Sequence, residues 1–475
     1  MRKAQLPIAA LPAWSKLNDA SFIDISVQNV EAKGFGLATE RALSSVEAFD
    51  VPTLLIIPKD LILSAEAIEE LAKVDQHFKQ LLEAAGGKSL RGDVLLFLLM
   101  QITIGSPDHG QLVGVSNPWT EYVKILPDFI PLPTMWTEEE RVMLVGTSLE
   151  SALTAKMSAL LREFESLREM TVGISWCDKC WWENEALHFS DWVLLDAWYR
   201  SRSLELPKAG ESMVPCLDMA NHSSSANAYY EQNSDNSVTL LLRPNMKLDK
   251  GAEVTISYGA TKSAAEMLFS YGFIDEQTDN AIVLPIEAFE DDPLGKAKLA
   301  AFAGRPIVRI SVVEGKVLWE SPFLYLLSLN EEDGLEFKVL QQNDGSRSQL
   351  RVFWQGTDVT EQTTNFEALV SHHELEDVFK LRVVALLHDR IRKQLELLYE
   401  SDEAVELAPM LNERCQNAAL QLRKAEAGIL EEAFSVVGMQ KNKLLENEGV
   451  LRYLGSMERP EHPQNGLSNE DDDFS

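Results

Sequence analysis

The chain has 475 residues, 45% of them hydrophobic and 25% charged, which is globular material with room for two or three domains. Its net charge of −31 opposes binding to phosphate backbones and favours basic partners, so no direct nucleic-acid role is expected. Four cysteines make no disulfide framework and point to a reducing compartment; no apolar run approaches the roughly 18 residues of a membrane span, and the first residues are too weakly apolar for a signal peptide.

Residues 20–60 read as strands with turns. Phe22-Ile23-Asp24-Ile25 alternates weakly, and Thr53–Ile57 is a short apolar strand stopped by Pro58. Between them, Ala32-Lys33-Gly34-Phe35-Gly36-Leu37 carries two glycines one apart, which let a backbone approach a ligand closely. This is not a dinucleotide fingerprint, because Thr39 stands where its third glycine belongs. Gly86-Gly87-Lys88-Ser89 likewise fails as a phosphate loop, with Leu82 in place of the first glycine.

Residues 65–205 read as mostly helical. Thr137 with Glu140 forms a capping box, and Val142, Leu144, Val145, Leu149 and Leu153 fall near helical spacing, which predicts one helix to about Met170. Cys177 and Cys180 lack the further ligands of a structural zinc, with His188 the only nearby third candidate. Packing among Trp176, Trp181, Trp182, Trp192 and Trp198 accounts better for that stretch, and no metal is expected.

The stretch from Val214 to Phe273 is polar where a strand-rich core should be apolar. Asp218, Asn221 and His222 fall within five residues, directly after Val214 and Leu217. Such a cluster needs partners, either the backbone or a bound polar ligand. Tyrosines follow at 229 and 230, at 258 and at 271, each a flat apolar wall with one hydroxyl at its tip. Past residue 285 the composition shifts. Residues 290–350 are mixed, with several turns, while 364–400 and 410–447 read as long helices. Leu381, Val384, Leu387, Ile391, Leu395 and Leu398 form an apolar stripe at three-and-four spacing. The acidic tail from Arg459 has the composition of a disordered segment.

Asp218-x-x-Asn221-His222, then Gly251-Ala-Glu-Val-Thr-Ile-Ser-Tyr258-Gly259, then Tyr271-Gly-Phe273 resembles the signature of SET-domain protein methyltransferases. More narrowly it resembles the group typified by the Rubisco large-subunit lysine methyltransferase. The resemblance implies an α+β fold: a β-rich SET domain over residues 15–285, split by a helical insert at about 65–195, then a mainly α-helical substrate-binding domain over 286–455 and a disordered tail over 456–475. Pro118-Trp119 and Trp136 resemble the insert's landmarks, and Arg423 to Glu426 with Ile429-Leu430 resembles the end of the helical domain.

The same resemblance implies S-adenosylmethionine as cofactor. Gly34, Phe35 and Gly36 would support it. Arg202 of Ser201-Arg202 would lie near its carboxylate, Asn221 at its amino group or ribose, the backbone of His222 at the adenine, and Phe273 beside the adenine. Tyr258 would be the catalytic residue, with Tyr271 and either Tyr229 or Tyr230, preferably Tyr230, walling the lysine channel. Asp218 would orient the turn. His222 would not serve as a base, since the family uses no histidine that way. The expected activity is methyl transfer to a lysine of a basic, non-histone protein, with ribosomal large-subunit proteins the leading family candidates. The expected protein is a monomer of the cytoplasm, with the nucleus as a second compartment. A non-catalytic adaptor for basic proteins and a methyltransferase acting on a protein histidine are the alternatives. Retention of Asn221, His222, Tyr258 and Tyr271 speaks against the adaptor, and Tyr271 favours lysine.

Overall fold

The computed structural model describes every residue except 2, 32, 46–50, 109–112, 260, 276–279, 290, 342–346, 403–404, 406–411 and 458–475. The tail expected to be disordered therefore lies outside the described residues from 458 onward. The chain divides into two compact units, Met1–Asp279 with Ser401–Ala425, and Asn280–Glu400 with Glu426–Ser475.

The first unit carries two four-stranded sheets. In one, Ser21–Phe22, Thr53–Ile57, Val238–Leu242 and Ala228–Gln232 lie side by side, all antiparallel. In the other, the hairpin Ile25–Val30 and Gly34–Thr39 is joined by Glu253–Ile256, which pairs on its far side with the two-residue strand Asn221–His222. That last pairing is parallel, with Thr255 opposite Asn221 and Ile256 opposite His222. Strands from before and after the helical segment thus share both sheets. In Thr53–Ile57 the side chains of Leu54, Leu55 and Ile57 are buried, while Ile56 is exposed.

Between the halves lie the helices of the insert. Leu90–Gly105 is apolar on every side and buries ten consecutive residues, Val94 to Thr103, so it is a core helix and not an amphipathic one. It packs against Pro118–Ile125 and Phe189–Arg202. The tryptophans behave as the composition suggests. Trp181 is fully buried, with its ring 4.9 Å from that of Trp176 and its indole N–H donated to Thr103 Oγ1 at 2.9 Å. Cys177 and Cys180 are buried in the same core, and burial pushes both thiols up.

The helix expected from Thr137 to Met170 is two helices. The capping box forms, but helix Glu138–Arg141 runs into a 3₁₀ turn at Val142–Leu144, and a new helix spans Leu149–Thr171. The break sits at Gly146, whose φ of +78° is a left-handed conformation that costs glycine nothing. The Val145 carbonyl freed by the break accepts from Arg423 Nη1 at 2.6 Å and Ser401 Oγ at 3.0 Å. Ala419 and Leu422 of the same returning segment join Trp136, Leu144, Leu149 and Leu268 in a buried cluster.

The second unit has a helical C-terminal half. Glu376–Glu400 buries Val384, Leu387, Ile391 and Leu398 of the apolar stripe, while Leu381 and Leu395 are half-buried. Helix Glu413–Leu445 belongs to this unit from Glu426 onward, and Glu448–Met457 follows it. Ahead of these helices lie two three-stranded antiparallel sheets, Ala281–Pro285 with Ile307–Val313 and Lys316–Glu320, and Leu335–Gln341 with Arg347–Trp354 and Thr357–Asp358.

Candidate active site

The site is built on the link between strand Gly210–Met213 and strand Asn221–His222. Cys216 adopts φ +68°, uncommon for a residue with a side chain, and its backbone N–H is held by the Tyr122 hydroxyl at 2.9 Å. That hydroxyl in turn donates to Asp218 Oδ1. The other Asp218 oxygen accepts from Arg202 Nη1 at 2.9 Å, and the Asp218 carbonyl from the same nitrogen at 3.2 Å. Burial works against the Arg202 charge, but Asp218 and Tyr122 beside it outweigh that and hold the guanidinium above its ordinary pKa. Burial and the neighbouring Asp218 charge likewise keep Tyr122 a neutral phenol. Asp218 thus orients both the turn and the arginine.

Asn221 and His222 sit on the parallel strand. Asn221 Nδ2 donates to Glu253 Oε1 at 2.8 Å. Gly36 faces it across the sheet so closely that a Cβ there would lie 2.5 Å from Asn221 Nδ2. Gly34 makes the turn at φ +86° with open space around it, and Phe35 is half exposed, so of the two glycines it is Gly36 that is pressed against Asn221.

His222 accepts the backbone N–H of Tyr258 on Nδ1 at 3.0 Å, which puts its proton on Nε2, 3.5 Å from Asp275 Oδ2. Burial lowers its pKa, with Asp275 opposing, so the ring is a neutral acceptor that fixes Tyr258. Tyr258 follows strand Glu253–Ile256 and donates its hydroxyl to the Ala220 carbonyl at 2.7 Å. Burial holds its pKa far above the ordinary phenol value, so it keeps its proton. The Tyr271 ring lies 4.6 Å from the Tyr258 ring, and Phe273 stands 6.1 Å from His222 and 6.5 Å from Tyr258. Gly272 between them closes helix Ala264–Tyr271 at φ +80°, where a Cβ would lie 2.7 Å from the Pro131 carbonyl oxygen.

Arg202, Ala220, Tyr230, Tyr258 and Tyr271 line one cavity of about 560 Å³. Tyr230 and Tyr229 point to opposite faces of their strand. Tyr230 is on the cavity side, its hydroxyl donating to the Glu205 carbonyl at 3.2 Å, whereas Tyr229 lies under Arg243. A charged wall that the sequence did not single out completes the cavity. Arg91 Nη1 at 2.6 Å, Lys156 Nζ at 2.7 Å and Arg200 Nη2 at 3.4 Å converge on the fully buried Asp196. Arg202 Nε is buried there without a hydrogen-bond partner, a donor suited to an anion. Tyr122 and Glu253 also escaped the sequence reading, because their partners are 96 and 32 residues away and no local pattern marks them. Among the described residues, no three His, Cys, Asp or Glu side chains are placed to hold a metal ion, and no helix is long and apolar enough to cross a membrane.

No family model matches the chain. It is 27% identical over 443 residues to SET domain-containing protein 8 of Schizosaccharomyces pombe, covering 91% of this chain and 95% of that protein. It is 26% identical over 289 residues to the chloroplastic Rubisco large subunit N-methyltransferase of Pisum sativum, and 24% identical over 314 residues to the chloroplastic fructose-bisphosphate aldolase-lysine N-methyltransferase of Arabidopsis thaliana. These two matches cover 57% and 62% of this chain and only 52% and 58% of the plant proteins. Among solved structures, Rubisco LSMT bound to AdoMet superposes with a TM-score of 0.66 at 19% identity, over 98% of this chain and 97% of the other. The LSMT SET domain bound to methyllysine and AdoHcy gives 0.67 at 18% identity, over 96% and 98%. The chain therefore has the fold of the Rubisco LSMT structures and is similar over 91% of its length to a SET domain-containing protein, and its motifs from Asp218 to Phe273 lie in the part of that fold described above.

Proposed function

We propose that the protein transfers a methyl group from S-adenosylmethionine to the side-chain amine of a lysine in a protein substrate. The observation that carries this reading is the Tyr258 hydroxyl, fixed on the Ala220 carbonyl at 2.7 Å in a cavity walled by Tyr230 and Tyr271. Relatives named as an N-methyltransferase of the Rubisco large subunit and as an aldolase-lysine N-methyltransferase support it.

The residues fit the cofactor. Gly36 leaves the space beside Asn221 that any side chain would fill, Asn221 offers hydrogen bonds to an amino group or ribose, and Arg202 holds an unpartnered buried N–H for a carboxylate. When bound, S-adenosylmethionine supplies an electrophilic methyl on a sulfonium. The nucleophile must be the neutral amine, and presenting lysine in that form at pH 7 costs roughly 4–5 kcal/mol. A cavity walled by Tyr230, Tyr258 and Tyr271 reduces the cost, because removal from water disfavours the ammonium. Tyr258 has spent its only proton on Ala220, so its oxygen can only accept. It accepts from the amine N–H and thereby aims the lone pair along the line of attack. His222 does no proton transfer in this scheme. Its Nδ1 is committed to the Tyr258 backbone, and it acts by holding that residue in place.

The substrate is a basic, non-histone protein, with ribosomal large-subunit proteins the first to test. The net charge of −31 supports this by favouring encounter with cationic partners. The test is incubation of the purified protein with tritiated S-adenosylmethionine and a lysate of cells lacking it, followed by mass spectrometry of the labelled band. A methylated lysine is the expected product. Label on histidine would assign the chemistry to the imidazole instead, and absence of label with retained cofactor binding would favour an adaptor.

A further inference from the structure

We propose that Glu253 is a positioning residue for the amino-acid end of the cofactor, acting through Asn221; the role rests on the reading above that the chain binds S-adenosylmethionine. An asparagine amide has a donor end and an acceptor end of nearly equal size, and only its partners decide which way it faces. A carboxylate accepts and cannot donate. Glu253 Oε1, 2.8 Å from Asn221 Nδ2, therefore fixes the donor end toward itself and leaves Oδ1 for a donor elsewhere. The α-ammonium of an amino-acid ligand is a donor only, and it requires that orientation.

Three further contacts make the lock rigid. Glu253 Oε2 accepts from Lys33 Nζ at 2.8 Å, so the carboxylate itself cannot swing away freely. Lys33 sits in the turn between Ile25–Val30 and Gly34–Thr39, and the ion pair ties the glycine-bearing hairpin to strand Glu253–Ile256. Gly36 closes the third side, its Cα so near that a Cβ would lie 2.5 Å from Asn221 Nδ2 and 3.4 Å from Glu253 Oε1. The backbone of Glu253 is pinned in turn by Asn227, whose Nδ2 donates to the Glu253 carbonyl at 2.8 Å while its Oδ1 accepts from Thr255 N at 2.9 Å. Glu253, Lys33, Gly36 and Asn227 thus form a frame around one amide, which a merely structural hydrogen bond does not need.

Glu253→Gln keeps the shape but can present either an oxygen or an amino group to Asn221, so the orientation is no longer dictated. The experiment is calorimetric titration of wild type and Glu253→Gln with two ligands, S-adenosylhomocysteine and its analogue lacking the α-amino group. The wild type should favour the parent compound. Glu253→Gln should weaken the parent about tenfold, the size of one hydrogen bond to a charged group, and leave the desamino analogue unchanged, so that the preference collapses. KM for S-adenosylmethionine should rise in parallel while kcat at saturating cofactor holds. Lys33→Met, which frees the carboxylate at an exposed site and is a mild change for folding, should give the same pattern at roughly two- to threefold. Equal weakening of both ligands would reduce Glu253 to a structural role, and no weakening in either variant would remove it. A wild type that binds neither ligand would overturn the cofactor assignment itself, and this role with it.

Discussion

Replacing Tyr258 with phenylalanine removes one oxygen and leaves the aromatic wall in place, so its effects are separable. In the folded state the lost hydroxyl is the donor to the Ala220 carbonyl, and Ala220 is 1% exposed. A buried acceptor left without its donor costs about 1–3 kcal/mol. In the proposed reaction, the lost oxygen is the acceptor that aims the amine, and contributions of that kind are about 10²–10⁴ in rate, or ~3–5 kcal/mol of barrier. The two effects fall on different measurements: the first on the urea midpoint, the second on kcat. Cofactor affinity should barely change, since Asn221, Arg202 and Gly36 are untouched. Tyr271→Phe is the matched control. Among the described residues its hydroxyl donates to the Tyr258 carbonyl alone, at a long 3.5 Å, so its removal should leave stability within about 0.5 kcal/mol and should change the number of methyls added more than the first-step rate. The assay is steady-state kinetics on one labelled substrate with intact-mass analysis of the product. A Tyr258→Phe enzyme retaining more than about a third of wild-type kcat would refute the reasoning, because no positioning role worth about 10²–10⁴ in rate survives such a result.

Asn221→Ala should weaken S-adenosylhomocysteine by roughly ten- to a hundredfold with the fold intact; unchanged affinity by calorimetry would take Asn221 out of the site. Gly36→Ala places a methyl 2.5 Å from Asn221 Nδ2 and 2.9 Å from Val30 Cγ2, and should cost about tenfold or more in cofactor affinity, measured by the same titration. Gly272→Ala must hold φ +80° and meet the Pro131 carbonyl at 2.7 Å, so it should lose about 2 kcal/mol or more in urea unfolding, and a loss under 0.5 kcal/mol would contradict the packing described. His222 is held neutral with its pKa below the usual 6.5. The unfolded chain therefore takes up that proton first as pH falls, so stability drops below about pH 6.5 until the folded pKa is reached and this contribution levels off. His222→Gln should flatten that part of the pH–stability curve between pH 7 and 5.

What the sequence made legible was what is local. Asp218, Asn221, His222, Tyr258, Tyr271 and Phe273 come from three short runs, and their residue types alone call for polar partners, backbone or ligand, beside aromatic walls. The stripe from Val384 to Leu398 was readable because helical spacing and burial share one period. The break at Gly146 was not, because the apolar spacing continues across it and only the tertiary capture of the Val145 carbonyl by Arg423 and Ser401 compensates the interruption. The choice between Tyr229 and Tyr230 needs the register of the strand, since one position of slip exchanges the faces. Tyr122, Glu253 and the Arg91–Lys156–Asp196–Arg200 cluster depend on contacts between distant segments, which no spacing announces.

The return of Ser401–Ala425 to the first unit sets a timetable for synthesis. A growing chain that has released the SET sheets and all their motifs still lacks Ala419, Leu422 and Arg423, the residues that cover Trp136, Leu144 and Leu149 and capture the Val145 carbonyl. At the usual pace of about 5–20 residues per second, the more than one hundred residues between Asp279 and Ser401 leave that apolar face open for several seconds to tens of seconds on the ribosome. The nascent protein is then most exposed to aggregation and to chaperone capture. A stop codon between Asp279 and Ala419 would leave the face open permanently, even though every residue of the candidate site had already been made.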